Sequence, residues 1–73
     1  MTQYQTYSSK TLGGLVVECS EEHGTTRAVL NRDGSGAVYY KPASSDKFLV
    51  HSYGKKGRAR GMKMLDAAKA AFQ

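Results

Sequence analysis

Seventy-three residues with eleven Lys and Arg against six Asp and Glu give a net charge of +5 and room for one domain, 1–73, with a thin core, because a chain this short buries only about 60% of the surface it exposes when unfolded. Cys19 is the only cysteine, which excludes an internal disulfide and fits a reducing compartment, so a cytoplasmic location is expected. The opening MTQYQTYSSK has no apolar segment behind a basic one, and nowhere do eighteen apolar residues run together, which argues against export and a membrane partner.

Thr2 to Ser9 alternates polar residues with Tyr4 and Tyr7 and reads as a ragged edge strand within 1–14, broken by Gly13 and Gly14. Leu15 to Cys19 is rich in β-branched residues and opens the sheet region, 15–53. Ser20 to Gly24 is turn chemistry. Thr25 to Asn31 then alternates so that Ala28 and Leu30 face inward. Arg32-Asp33-Gly34-Ser35-Gly36 supplies residues suited to positive φ between two strand-like runs, making Thr25 to Lys41 a hairpin that ends at Pro42.

Tyr39 and Tyr40 are adjacent on its second arm and must point to opposite faces. Lys47 to Tyr53 reads as the last strand, with Phe48 and Val50 on one face and Leu49, His51 and Tyr53 on the other. From Arg58 the apolar period changes from 2 to about 3.6, with Gly61, Met64, Leu65, Ala68, Ala71 and Phe72 on one stripe, so 58–72 is expected to be an amphipathic helix. The expected fold is α+β: a four- to five-stranded antiparallel meander with one C-terminal helix packed on one face.

Charge is distributed unevenly. Up to Gly54, five cations and five acids cancel; from Lys55 onward six cations face Asp66 alone. Lys55, Lys56, Arg58, Arg60 and Lys63 crowd the expected loop-to-helix junction, where the helix dipole disfavours cations by about 0.3–1 kcal/mol each. A bound anion reverses that sign, because free N–H groups, dipole and side chains then converge on one negative group, and Gly54, Gly57 and Gly61 would let the backbone approach it. Nucleic acid, DNA or RNA, is the expected partner, contacted with little sequence preference. Arg27 and Lys41 on the hairpin would extend the basic path, and Tyr53 would stack on bases.

Other chemistry has little support. The glycine spacing fits neither a Walker loop nor a dinucleotide fingerprint. Cys19 and His51 lack a third, orienting residue, and Cys19, His23 and His51 do not have zinc-ligand spacing, so no enzyme, cofactor or metal site is expected. The alternative function belongs to another class: a small protein-binding module or inhibitor, such as a virus- or phage-encoded accessory protein. It would dock through the basic patch on an acidic protein surface, or through the edge strand near Thr2 to Ser9. An uncovered strand edge would also allow a homodimer.

Lys55-Lys56 to Ala71, about the last third of the chain, resembles the Lys-Lys-rich loop and helix that end a double-stranded-RNA-binding domain. Such domains begin with a helix, which Met1 to Gly14 does not offer, so the resemblance assigns no role to any residue.

Overall fold

The structure, a computed structural model, describes residues 3–71. Five strands follow one another: β1 (Gln3–Ser9), β2 (Gly14–Glu21), β3 (Gly24–Asn31), β4 (Gly36–Pro42) and β5 (Leu49–Tyr53). They pair antiparallel in chain order, and α1 (Gly54–Ala71) then packs back on one face of the sheet, mainly over β3 and β4. This is the expected α+β meander with its C-terminal helix, in the five-stranded form. Thr2 and Phe72, assigned from the sequence to the edge strand and the apolar stripe, lie outside the described residues.

Local chemistry sets the turns. Gly13 (φ 84°) closes the β1–β2 turn, its N–H bonded to the Ser9 carbonyl at 3.0 Å. In the β3–β4 turn, Gly34 takes φ 92° and the Asp33 carboxylate accepts the Ser35 N–H at 2.9 Å and hydroxyl at 2.6 Å. The hairpin read from Asp-Gly is therefore present, with Leu30 opposite Gly36 and Thr25 opposite Lys41.

Two boundaries differ from expectation. β5 starts at Leu49, not Lys47, and a bulge opposite Val38 and Tyr39 leaves His51 unpaired, with Ser52 facing Val38 and Val50 facing Tyr39. The extra residue reverses the alternation, so Tyr53 shares a face with Val50 instead of with Leu49 and His51. The helix starts at Gly54, not Arg58. Gly54 (φ 66°) turns the chain straight from β5 into α1 and bridges to Gly36, so the stretch expected to be a loop is helical.

Val17, Ala28, Leu30 and Val38 on the sheet meet Leu65 and Ala68 on the helix, with Tyr4, Leu15 and Met64 at the margin. The helix buries Gly57, Gly61, Leu65 and Ala68, residues spaced by three or four. Backbone approach is very close: a Cβ at Gly57 would lie 2.6 Å from the Gly36 carbonyl oxygen, and one at Gly36 would lie 2.8 Å from the Arg58 Cα.

Among the described residues no helix covers the opposite sheet face, yet Val16 and Val29 are 0% and 3% exposed. They sit in one cross-strand row, Tyr7–Val16–Val29–Ala37–Tyr53. Beside this row Arg27 bonds Glu18 at 2.7 Å and lies 4.0 Å from the centre of the Phe48 ring, while the Tyr7 hydroxyl donates to the same Glu18 oxygen at 2.9 Å. Long side chains thus roof two small valines without a second layer.

The glycine contacts predict unequal effects of adding one methyl group. Gly57→Ala meets backbone atoms that cannot turn aside and should cost about 1–3 kcal/mol of stability, as overpacking does, despite alanine's advantage of about 1 kcal/mol in a helix. Gly61→Ala meets the end of the Leu30 side chain at 2.7 Å and the Ala28 Cβ at 3.3 Å, side-chain atoms and not backbone. That variant should remain within about 1 kcal/mol of wild type, because the propensity gain offsets the adjustment. Urea denaturation midpoints measure both.

Candidate anion-binding interface

With Gly57, Gly61, Leu65 and Ala68 turned to the sheet, the helical period puts Lys56, Arg60 and Lys63, spaced by four and three, on the stripe that faces solvent, with Lys55 beside them. All four are exposed. Among the described residues, no carboxylate stands within ion-pair distance of any of them. The first turn of α1 contains no acid, so Lys55 and Lys56 occupy the positive end of the helix dipole with nothing to offset them.

Arg58 departs from this group. It is half-buried on the sheet side of α1, and its Nη1 donates to the carbonyl oxygens of Asn31 at 3.2 Å and Ser35 at 3.4 Å. The guanidinium therefore ties the helix to the β3–β4 turn. The Asp33 carboxyl in that turn is held below its usual range, chiefly by the hydrogen bonds from the Ser35 hydroxyl and N–H and to a smaller extent by the positive charge of Arg58.

Arg27 and Lys41 lie elsewhere again. The register puts both on the sheet face away from the helix, where Arg27 is neutralised by Glu18 and the Lys41 Nζ donates to the Ser45 carbonyl at 3.3 Å. Neither extends the basic path of α1. Gly57 and Gly61 also have a different use from the one the sequence suggested, since their bare backbones meet the sheet and not a ligand.

Tyr53 lies on the same sheet face as Arg27 and Lys41 but at the end of β5, where the chain enters α1, and so borders the site. It is 78% exposed at the end of β5, and with His51, Ser52 and Lys56 it lines a shallow hollow of about 390 Å³. The structure thus brings together Lys55, Lys56, Arg60 and Lys63, with Tyr53 beside Lys56, and separates Arg58, Arg27 and Lys41 from them. Ser52 joins the hollow without having been singled out in the sequence, and His51, weighed there only as a base or a metal ligand, joins it too, because the bulge that presents them depends on the pairing of β5 with β4.

Cys19 and His51 do not meet: β3 and β4 lie between their strands. The Cys19 thiol is pushed up by burial and by the negative charge of Glu21, which suppresses the thiolate a nucleophile needs. Among the described residues, no three His, Cys, Asp or Glu side chains gather as a metal would require, and no helix is long and apolar enough to cross a membrane. No family profile, curated protein or solved structure matches the chain.

Arg27 and Arg58 are expected to act on stability. Arg27→Leu removes a short ion pair and the contact with Phe48, and Arg58→Leu removes two hydrogen bonds to carbonyl groups; each should lower unfolding stability by about 1–2 kcal/mol. Chemical denaturation of each variant measures the loss.

Proposed function

We propose that the outward face of α1 binds the phosphates of a nucleic acid, without catalysis and with little sequence preference. The observation that carries this reading is the set of four exposed cations, Lys55, Lys56, Arg60 and Lys63, with no carboxylate among the described residues against them and no acid in the first turn. At a rise of about 1.5 Å per residue they span about 12 Å of helix. One strand of a duplex carries a phosphate about every 3.4 Å along its axis, so the stripe matches a run of three or four phosphates. No Asn or Gln lies on α1 to read adenine, and Arg60 is its one exposed arginine for guanine, which supports weak sequence preference. Tyr53, beside Lys56, offers an exposed ring to an unpaired base.

A protein partner is the second reading, favoured by the sheet edges. β1 and β5 are both edge strands, and β5 exposes Leu49, Val50 and Tyr53. Such an edge can accept a further strand from another protein or a second copy of the chain. A cytoplasmic site of action for either function accords with the single unpaired Cys19.

Gel-shift titrations of nuclease-treated protein on single- and double-stranded DNA and RNA separate the two readings. For duplex DNA the slope of log affinity against log salt should be about −3 to −4, the value for three or four displaced counterions. Arg60→Glu with Lys63→Glu should weaken binding at least about tenfold, whereas Lys41→Glu should leave it nearly unchanged. A flat salt response, or capture of a protein partner that survives nuclease and the helix variants, would overturn the nucleic-acid reading.

A further inference from the structure

A second concavity lies where the β1–β2 and β3–β4 turns meet the flank of α1. It is an open groove of about 850 Å³, within the size of small-ligand sites. Its floor is aliphatic: Leu15, Leu30 and Leu65 line it, and Met62 forms part of one wall. Leu30 and Leu65 are core residues that show only their edges here.

The rim is cationic. Lys10, Arg32 and Arg58 come from three different segments, and none of the residues lining the groove is acidic. Arg58 is held in place by its Nη1 bonds to the Asn31 and Ser35 carbonyls, and its Nε and Nη2 make no hydrogen bond among the described residues. Asp33, in the same β3–β4 turn, accepts the N–H and hydroxyl of Ser35 and offsets part of the Arg58 charge, leaving three cations against one acid at this end of the sheet. A guanidinium fixed on one side with donors left on the other is preorganised for an oxyanion.

This groove differs chemically from the helix stripe. It lies on the Arg58–Met62 flank of α1, away from Lys56, Arg60 and Lys63, and it contains no aromatic residue on which a base could stack. Three cations above an aliphatic floor complement a molecule with one charged end and an apolar body. We infer that the groove binds a small amphiphilic anion, its carboxylate or phosphate among Lys10, Arg32 and Arg58 and its hydrocarbon portion against Leu15, Leu30, Met62 and Leu65. This inference is independent of the nucleic-acid reading.

Decanoate, decanol and inorganic phosphate, each titrated into the full chain and followed by amide and methyl NMR shifts, test it. Decanoate should give saturable shifts centred on Leu15, Leu30, Arg58 and Met62, with decanol and phosphate binding at least tenfold more weakly. Lys10→Glu with Arg32→Glu, both in exposed turns, should weaken decanoate at least tenfold, and the preserved spectrum of the free variant would show that it folds. Lys41→Glu should leave decanoate binding unchanged. Absence of saturable shifts, equal binding of decanol, or indifference to the Lys10 and Arg32 reversals would overturn the proposal. So would an acidic peptide that occupies the groove when decanoate does not, in favour of a protein partner.

Discussion

Bare backbone against bare backbone, Gly57 of α1 on Gly36 of β4, fixes where everything else on the helix can point. With a Cβ on either residue the two elements could not approach so closely, and Leu65 and Ala68 would lift away from Val17, Ala28 and Val38. Because successive helical residues turn by about 100°, a glycine in that contact also fixes the rotation of the helix about its axis. Lys56, Arg60 and Lys63 then face solvent, and Arg58 is carried inward to the β3–β4 turn. The close contact also suits a short chain. The core cluster is made of small and medium aliphatic side chains, and their dispersion contacts depend on the layers being near one another.

The cations divide according to the two faces of the sheet. One face is covered by the helix, anchored at its start by Arg58 on two turn carbonyls. The other is closed by its own side chains, with Arg27 lying between Glu18 and the Phe48 ring above the row containing Val16 and Val29. Both arginines have structural partners. The cations on the outer side of α1 have none among the described residues, and two of them, Lys55 and Lys56, stand in the first turn, where the dipole opposes them. That contrast gives the helix stripe its functional weight, since cations with no structural partner in an unfavourable position are explained by a ligand more readily than by the fold.

Much of this architecture could be read from the sequence, because periodicity and turn chemistry are local. Asp33-Gly34 announced the hairpin, the alternation of Ala28 and Leu30 gave the inward face of β3, and the three-and-four spacing of Gly61, Leu65 and Ala68 gave the buried side of the helix. The bulge at His51 was not legible, since it is a property of two strands together; missing it put Tyr53 on the wrong face. Glycine was ambiguous for a physical reason: the same missing Cβ admits a ligand or a neighbouring strand, and residues 57 and 61 admit the strand. Arg58, by contrast, is legible in the helical phase. It precedes Gly61 by three residues and Leu65 by seven, which already placed it on the inward stripe. Charge density along the chain places Arg58 with Lys55, Lys56 and Arg60, whereas helical phase separates it from them.

If Lys55 and Lys56 are kept at the start of α1 for a ligand and not for the fold, their removal should affect stability and binding in opposite directions. The most direct measurement is the unfolding free energy and the nucleic-acid affinity of one double variant, Lys55→Glu with Lys56→Glu, over a range of salt. Stability should rise by about 0.6–2 kcal/mol at low salt, as acids near a helix N-terminus produce, with the gain shrinking as salt screens it, while affinity falls at least about tenfold. A loss of stability, or affinity equal to wild type, would contradict the assignment of this face to an anionic partner.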